Sequence, residues 1–361
     1  MSEKEGGKRT VQVAGDNIPE AHYNAMRKVW EEGFRIRTQY DRKKGDRYID
    51  PPSRDSRVLV EVKNPFNQPR FSPFSHSEIG KYIAEVCWGV KDHLVKDVAQ
   101  IKRELAEGDA ADKESEGKHW PYHYHQRIFA YPLANGTTLD QSQVELERIA
   151  KDPHTRRAML TTAVPWLDHY FAEDLPCLKE IQLRGEPLTD SDLTEGVMEV
   201  LTTFDSSISP EDYRVRVKQE KVMQLHMGTT WRSRDIKAWG DNVNALTFLQ
   251  RMFAEELTYM TGNIWVPGSY TDESHSLHVY GQDFTHIGGD PTEGISGLFE
   301  RSPNPQDFVD LAMTSEDVRT TRIIPEIEEL IREKDQWHFP ASIISLMRRE
   351  LHRVRKRDYV V

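Results

Sequence analysis

The sequence is poor in cysteine, in long apolar runs and in excess positive charge, and each shortage argues against a class of protein. Its 361 residues include two cysteines, Cys87 and Cys177, which cannot form a disulfide framework and which suit a reducing cytoplasm. No apolar run approaches the roughly 20 residues that a membrane helix needs, so no membrane association is expected. Acidic residues outnumber basic ones by 59 to 48, for a net charge of -11, so a general nucleic-acid binder is not expected. The charged start MSEKEGGKRT has no apolar stretch, so we expect no secretory signal.

The chain does contain an alternation of strand-like and helix-like segments without an obvious linker. Runs of alternating apolar residues predict strands at VLVEVK, LKEIQL, VMQLHM and SLHVY. Apolar residues at helical spacing predict one helix with Pro19 in its first turn and Gly33 at its end, and another over residues 245–261. This pattern predicts an α+β fold in which helices flank a mixed β-sheet.

We expect a single domain over residues 18–361, preceded by a disordered tail over residues 1–17. Three polar or irregular segments interrupt the predicted elements, near residues 38–57, 102–118 and 185–221. The second of these is charged and of low complexity, which is typical of an exposed loop.

Cys177 follows a proline at the start of a predicted strand, and it is the candidate nucleophile. An isolated thiol has a pKa near 8.5, so cationic neighbours are needed to raise its thiolate fraction at neutral pH. Arg156, Arg157, Arg232 and Arg234 are the candidate cations. The alternative interpretation is that Cys177 is a small buried hydrophobic residue of the strand.

The arginines also suggest an anion site. Arg232 and Ser233 can hold a phosphate between a guanidinium fork and a hydroxyl group. Adjacent arginines on a strand point to opposite faces, so Arg156 and Arg157 serve one site only with a dimer partner or a local bulge. Otherwise they form a solvated strand end.

Three further residues have side chains that bind bases or sugars. Asn244 stands where the cap of the helix over residues 245–261 is predicted, and its amide can also pair with the edge of a pyrimidine base. His278 and Tyr280 share one face of a strand, and both can bond a sugar hydroxyl.

Two charged or histidine-rich segments point elsewhere. His123 and His125 share a predicted strand face near His119, but no carboxylate or cysteine completes a recognisable set, so no metal site is predicted. The basic run RRELHRVRKRD can contact RNA or an acidic partner, or it can form a solvated helix end.

Taken in order along the chain, these segments resemble the thymidylate synthase family. EVCWG resembles the Glu-x-x-Trp helix of that family, and PYHYHQR resembles its tyrosine-containing strand. DQSQVELERIAKDPHTRRAML is similar to the family's Asp-Gln helix with the paired arginines that follow it. LPCL resembles the nucleophile motif, RSRD the Arg-Ser-x-Asp motif, GDNVN the Gly-x-x-x-Asn motif and LHVY the closing His-x-Tyr.

The resemblance implies a homodimer with back-to-back sheets, in which Arg156 and Arg157 reach the partner's site. It implies one-carbon transfer from 5,10-methylenetetrahydrofolate, a co-substrate, to C5 of a pyrimidine nucleoside monophosphate through a covalent adduct between Cys177 and C6, without a metal. The implied catalytic residues are Cys177, Glu85, Tyr124 and Asn244. The implied substrate-binding residues are Arg37, Arg156, Arg157, Arg232, Ser233, His278 and Tyr280, and the implied folate-binding residues are Asp235 and Trp88.

The chain also departs from the family where folate and substrate are enclosed. Leu178 replaces a usual histidine, residues 102–118 stand where a tryptophan-bearing segment is expected, and the glycine-rich phosphate loop is missing. The three irregular segments are atypical of the family. Substitutes for the missing phosphate loop are Arg37, Arg42, Arg54 and Arg57.

Loss of shielding lets water compete with hydride, so we expect hydroxymethylation of CMP, dCMP or dUMP. The alternative is methylation of dUMP to dTMP, and the choices of base and sugar stay open. Two other classes are a cysteine hydrolase that uses Cys177 with a histidine, and a fold-retaining RNA-binding regulator without enzymatic activity.

Overall fold

The computed structural model describes residues 10–38, 41–72, 79–89, 122, 124–169, 175–204, 207–219, 221–281 and 294–314, and positions 325, 328, 329, 332 and 348. The strands are β1 (Thr10–Gly15), β2 (Phe34–Ile36), β3 (Lys43–Lys44), β4 (Arg47–Tyr48), β5 (Ser53–Val62), β6 (Tyr131–Pro132), β7 (Thr138–Leu139), β8 (Met159–Thr161), β9 (Leu178–Pro187), β10 (Val222–Trp231), β11 (Arg234–Asp235) and β12 (Ile264–Val279). The α-helices are α1 (Ile18–Glu32), α2 (Ile79–Trp88), α3 (Tyr124–Phe129), α4 (Gln141–Lys151), α5 (Pro165–Asp168), α6 (Glu195–Phe204), α7 (Pro210–Lys218), α8 (Ile236–Thr261), α9 (Gly294–Arg301) and α10 (Pro305–Thr314).

The central sheet is mixed, as the alternation of elements predicts. Its strand order is β1-β5-β12-β10-β9-β8, with β2 also paired to β5 and β11 to β12. β1 runs parallel to β5 and β10 parallel to β12, whereas β5 and β12, β9 and β10, and β8 and β9 are antiparallel. The four predicted strands lie in β5, β9, β10 and β12, apart from Lys63 and Tyr280, which follow the last residues of β5 and β12, and all four observed strands are longer than the sequence pattern indicates.

α1 and α8 pack directly on one face of the sheet, α2 packs on α8, and the main apolar core lies among these elements. The opposite face carries exposed polar side chains, among them Arg57, Gln182, Arg184 and His275. None of the helices in the described part of the chain is long and apolar enough to cross a membrane.

The first predicted helix is confirmed as α1. Asn17 caps its start by accepting from the backbone N–H of Glu20 at 3.0 Å, Pro19 lies in the first turn, and the N–H of Gly33 closes the last turn on Val29 O. The predicted disordered tail over residues 1–17 is wrong in its second part, because residues 10–15 form β1 and pair in parallel with β5. Val11 is buried there, so an apolar contact with the core accompanies the strand hydrogen bonds.

The segment predicted as a polar loop near residues 38–57 is also partly regular. It contains the short hairpin β3-β4 and the first five residues of β5. Ser53 and Ser56 are buried, and they extend the inward-facing positions of β5 towards its start. The segment near residues 185–221 carries α6 and α7, whose apolar residues pack with Phe66 in a second, smaller core. Residues 102–118 lie outside the described residues.

The long helix begins earlier than the apolar pattern predicts. Its first residue is Ile236 rather than Ala245, and Asp235 caps it by accepting from the N–H of Ala238 at 2.8 Å. The assignment of Asn244 as the helix cap is therefore wrong. The helix ends as predicted at Gly262, which adopts a left-handed conformation with φ 71°.

Two predicted strands are different in the structure. Tyr124 and His125 lie on α3, a helix whose Arg127 and Ile128 are buried on one side, so the predicted strand is wrong at His125. His119 and His123 lie outside the described residues. In RRAMLTTAV only Met159–Thr161 is a strand, so Arg156 and Arg157 precede it rather than alternate along it.

Candidate active site

Cys177 lies at the start of β9, where it is half-buried beside Arg232. The backbone N–H of Arg232 donates to Cys177 O at 2.7 Å, which ties the ends of β9 and β10 together. Nη2 of Arg232 is 3.7 Å from Sγ of Cys177 and 3.2 Å from Leu175 O. The sulfur therefore has a cation next to it, which is the environment that a thiolate nucleophile requires. The alternative interpretation, a sealed apolar cysteine, describes Cys87 instead, which is 1% exposed in the core.

Tyr124 approaches the same sulfur from α3. Its Oη accepts a hydrogen bond from the backbone N–H of Leu178 at 3.3 Å, and its ring packs edge-on against Trp231 with centroids 5.9 Å apart. Burial raises the pKa of Tyr124 well above its ordinary value, and the charge of neighbouring Cys177 raises it further. A neutral phenol thus borders the nucleophile.

Helix α2 brings Glu85 and Tyr82 to this region, on one helix face because they are three residues apart. Burial raises the pKa of Tyr82 well above its ordinary value, and Tyr124, Glu85 and Asp241 add to the shift by their charge. Tyr82 accepts a hydrogen bond of 2.6 Å from Nδ2 of Asn242 on α8. Tyr82 and Asn242 were missed by the sequence reasoning, although Tyr82 precedes Glu85 by one helical turn and Asn242 lies within GDNVN.

Asn244, the base-binding residue that the motif predicts, lies on the buried side of α8. It is fully buried, its Nδ2 donates to Gly240 O at 2.9 Å, and its Oδ1 is buried without a partner in the described part of the chain. Two helical residues differ by about 200° in direction, so Asn242 and Asn244 point to nearly opposite sides of α8. The asparagine joined to Tyr82, on the side towards α2, is Asn242.

His278 and Tyr280 share a face, as the strand periodicity predicts. Their rings are stacked with centroids 6.1 Å apart and planes 11° from parallel. His278 pairs in register with Asp235, so it lies beside the segment that carries Arg232 and Ser233. Its Nε2 bonds Ser276 Oγ at 3.0 Å.

The early arginines are already bound by acceptors of the chain. Arg37 donates to Asp50 O at 2.9 Å, and Arg42 forms an ion pair with the Asp50 carboxylate at 2.6 Å. Arg54 donates to Trp30 O at 3.2 Å, and Arg57 is paired with Glu273. None of these contacts involves Cys177, so the choice among the four arginines as the phosphate ligand stays a prediction.

Arg156 and Arg157 lie far from Cys177 of their own chain. The N–H of Gly185 on β9 donates to Pro153 O, which fixes the arginine segment near the other end of that strand. Cys177 and Gly185 are eight positions apart, or roughly 26 Å at about 3.3 Å per residue. Arg156 lines a cavity of about 350 Å³ on the sheet face opposite α1 and α8.

The predicted folate contacts keep unused polar groups. Trp88 is 3% exposed, and its buried Nε1 makes no hydrogen bond within the described residues. Asp235 is half-buried and uses Oδ1 to cap α8. An indole donor and a second carboxylate oxygen are suited to the amide and amine groups of a reduced pterin, so these residues fit the co-substrate.

Comparisons with known proteins add one structural likeness. The chain is similar to a solved structure described as the thermostable thymidylate synthase A from Bacillus subtilis, a protein of the family that the motifs resemble. The identity is 18% and the TM-score is 0.43, over 74% of this chain and 80% of that chain. No protein-family model matches the chain, and no curated protein matches it. A likeness at this level identifies neither a family nor an activity, so both depend on the side chains around Cys177.

Proposed function

We propose that the protein transfers a one-carbon unit from 5,10-methylenetetrahydrofolate to C5 of a pyrimidine nucleoside 5′-monophosphate. The observation that supports this function best is the placement of Arg232 beside Sγ of Cys177, at 3.7 Å, with the buried phenol of Tyr124 bonded to the next backbone N–H. A nucleophile, a cation and a neutral hydroxyl group come from three different elements. These are the types of side chain that assist addition of a thiolate to an electron-poor ring.

The chemistry begins with addition of the Cys177 thiolate to C6 of the pyrimidine ring. The electron pair of the C5–C6 double bond moves to C5, which thereby becomes nucleophilic. The folate supplies the one-carbon unit that C5 attacks. Glu85 takes the proton that leaves C5, directly or through water, and tetrahydrofolate leaves with the electron pair of its bond to the transferred carbon, so that C5 carries an exocyclic methylene group. Water or hydride then adds to that methylene group, and the electron pair that returns to C5 expels Cys177 from C6 and restores the C5–C6 double bond.

The remaining groups bind the nucleotide. Ser233 makes no side-chain hydrogen bond within the described residues and is half-buried, so its hydroxyl group and the Arg232 guanidinium form the phosphate site. The stacked pair His278 and Tyr280 binds the sugar hydroxyls. Asn242, rather than Asn244, binds the base, because its amide lies on the side of α8 that faces Tyr82.

A homodimer completes the site in this proposal. The exposed polar face of the sheet packs against the same face of a second copy, in an isologous contact. Arg156 and Arg157 then reach the phosphate of the partner's nucleotide, which accounts for their distance from Cys177 of their own chain. The cytoplasm, where thiols stay reduced, is the compartment that suits this chemistry.

Hydroxymethylation is the product that we propose. Water adds its oxygen to the new carbon on C5, whereas methylation needs a hydride from the reduced folate. The departures from the family where folate and substrate are enclosed, among them the buried Leu178 in place of the usual histidine, favour entry of water over hydride transfer. The alternative is thymidylate synthase activity on dUMP. A second alternative, an RNA-binding regulator, depends on the basic C-terminal run, most of which lies outside the described residues.

Release of tritium from nucleotides labelled at C5 tests the proposal, and mass spectrometry of the product separates its two forms. Four labelled substrates, dUMP, dCMP, UMP and CMP, are incubated with and without the folate. We expect folate-dependent tritium release from at least one of them and a product heavier by a hydroxymethyl group. A product heavier by a methyl group supports the alternative, and no release from any of the four contradicts the function.

A further inference from the structure

A buried ion pair between Arg234 and Asp272 lies within the core, near the Cys177 end of the sheet. Arg234 is 5% exposed and Asp272 is fully buried, and Nη2 of Arg234 donates to Oδ1 of Asp272 and, at 2.8 Å, to Oγ of Ser274. Nε and Nη1 of Arg234 make no hydrogen bond in the part of the chain that the structure describes. A buried pair of this kind is weak evidence for stability, because apolar side chains of similar volume stabilise a core as well or better. Stability alone therefore does not account for Arg234.

Asp272 is the centre of a hydrogen-bond network on the inner face of the sheet. Tyr270 and Asp272 alternate along β12 and so point to one side of it. Thr229 lies opposite Asp272 in register and Trp231 follows it by two positions on β10, so both point to the same side. Oδ2 of Asp272 accepts from Oη of Tyr270 at 3.1 Å and from Oγ1 of Thr229 at 3.3 Å, and Oγ1 of Thr229 accepts from Nε1 of Trp231 at 3.0 Å. The carboxylate thus holds Arg234 directly and the indole through one hydroxyl group.

Trp231 lies between this ion pair and the phenol that borders the nucleophile. The guanidinium of Arg234 lies over the indole, 4.1 Å from the ring centroid. The ring of Tyr124 packs against the same indole with centroids 5.9 Å apart and planes at 83°. Trp231 is also paired in register with Leu178, whose backbone N–H donates to Oη of Tyr124 at 3.3 Å. A shift of the indole would therefore displace the phenol from the backbone that follows Cys177.

The phenol of Tyr124 can act on the thiol of Cys177. Its Oη accepts from the N–H of Leu178, and a phenol that accepts still has its own proton to donate. Burial raises the pKa of Tyr124, the charge of Cys177 adds to the rise, and the charge of Arg234 opposes it. A protonated phenol that donates to the sulfur stabilises the thiolate and so raises its fraction at neutral pH.

We propose that Arg234 is a positioning residue for the nucleophile Cys177. Held by Asp272, its guanidinium supports the ring of Trp231, and that ring keeps the phenol of Tyr124 beside the sulfur. Since Arg234 is buried in the core, it acts through these side chains rather than on the nucleotide. The inference deepens the proposed function, on which it rests only for the role of Cys177 as nucleophile.

A double-mutant cycle separates this role from a purely structural one. Arg234→Lys keeps the charge but removes the planar guanidinium that lies over Trp231 and bonds Asp272. If Arg234 acts through the phenol, the change lowers the reactivity of the thiol in the wild-type background. It then has no further effect in Tyr124→Phe, which has no phenolic proton to misplace. A purely structural role predicts the same loss in both backgrounds.

The measurement is the rate at which iodoacetamide alkylates Cys177 at pH 7, followed by peptide mass spectrometry on the full chain without nucleotide or folate. We expect Arg234→Lys to slow alkylation about fivefold, in line with the loss of one hydrogen bond, and to change it by less than about twofold in the Tyr124→Phe background. Arg70→Lys is the matched control, because Arg70 is also buried and stacked on an aromatic ring, 4.1 Å from the centroid of Phe66 in the second, smaller core. Its rate should stay at the wild-type value.

Cys87 reports whether each variant is folded, because it is buried in the core and its alkylation marks unfolded protein. If Arg234→Lys is modified at Cys87, Thr229→Val takes its place in the cycle. That milder change removes only the hydroxyl group that accepts from Nε1 of Trp231, and the same pattern is expected.

Three results overturn the inference: equal slowing in the two backgrounds, an unchanged rate in the single variant, or a faster rate. Because no substrate is present, these results do not depend on turnover. Tritium release from labelled nucleotides tests the proposed function separately, so failure of one can be told from failure of the other.

Discussion

The two ends of the central sheet differ in how they use polar side chains. At one end lies a cavity of about 540 Å³, lined by residues that include Asp192, Gln224 and His226. Several of its polar groups are bonded to one another: Asp192 exchanges hydrogen bonds with Thr189 and accepts from Gln224, and Nδ1 of His226 accepts from the N–H of Ser269. At the other end, Cys177 has a cation beside it.

This difference shows that the volume of a cavity does not by itself identify the active site. The groups at the Cys177 end are held by backbone contacts and leave their reactive atoms available, as Arg232 does when its N–H bonds Cys177 O and its guanidinium approaches Sγ. The cavity at the opposite end has the volume of an ordinary substrate pocket, but Asp192 and Gln224 are bonded within the chain there. The following changes test this contrast, from the largest expected effect to the smallest.

Cys177→Ser should remove activity, because a hydroxyl group is a far weaker nucleophile than a thiolate. We expect tritium release to fall by about a thousandfold or more, as for other covalent nucleophiles. Cys87→Ser is the matched control, because Cys87 is buried in the core, where its Sγ donates a weak hydrogen bond to Ala245 O. Equal losses in the two variants would mean that neither cysteine is the nucleophile.

His22, which packs at the start of α8, makes the free energy of unfolding depend on pH. It is fully buried between Ser72 Oγ and Ile236 O, each 2.8 Å from a ring nitrogen, and burial lowers its pKa to about 4. Because the unfolded state binds the proton more readily, this group lowers the free energy of unfolding as pH falls from about 6.5 to 4, by at most about 3 kcal/mol. Above pH 6.5 it contributes no slope.

Urea denaturation at several pH values checks this dependence, with His22→Gln as the comparison. The variant should be less stable near pH 7 but should lose less stability on acidification than the wild-type protein. Parallel curves for the two proteins would show that His22 does not titrate between folded and unfolded states as described.

Arg232→Met should weaken the Cys177 end without unfolding it, since Arg232 is exposed. Loss of a charge-assisted contact to phosphate corresponds to about 2 kcal/mol, or roughly thirtyfold in kcat/KM. Alkylation of Cys177 by iodoacetamide near pH 7 should slow as well. Lys28→Met is the control, because Lys28 is a cation on α1 that is paired with Glu32 at 2.9 Å; a comparable loss there would contradict the assignment.

Asp192→Ala tests the opposite end of the sheet. Removal of its reciprocal hydrogen bonds with Thr189 should lower the free energy of unfolding by about 1 kcal/mol, a typical cost for a lost cap. Turnover should remain within about twofold of the wild-type value. A large loss of turnover at unchanged stability would show that the cavity takes part in the reaction.

Sequence periodicity predicts the parts of the fold in which local signals agree with packing. The first helix follows from Asn17, Pro19 and Gly33, and the strands follow from alternating apolar residues. The start of α8 was missed because Lys237, Gly240 and Asp241 interrupt the apolar pattern over its first two turns. The cap at Asp235 supports those turns, together with Trp239, which is fully buried in the core.

The residue types of the candidate site could be predicted from the sequence, but the directions in which its side chains point could not. Cys177 and Arg232 are identified by motif alone. The choice between Asn242 and Asn244 depends on the helical phase of α8, which the misplaced helix start left undetermined. The hydrogen bond between Asn242 and Tyr82 could not be predicted, because it depends on the packing of α2 against α8, which brings together residues 160 positions apart in sequence.

The most direct test of the proposed function is covalent capture of a nucleotide on Cys177. A pyrimidine nucleotide with fluorine at C5 cannot lose that substituent as a cation, so its C6 adduct accumulates in the presence of the folate. We predict that intact-mass and peptide analysis of the wild-type protein will show the added nucleotide and folate on the peptide that carries Cys177. In Arg232→Met at limiting nucleotide, no peptide should carry the adduct. An unmodified Cys177 after incubation with the fluorinated uracil and cytosine nucleotides, or modification at Cys87 instead, would contradict it.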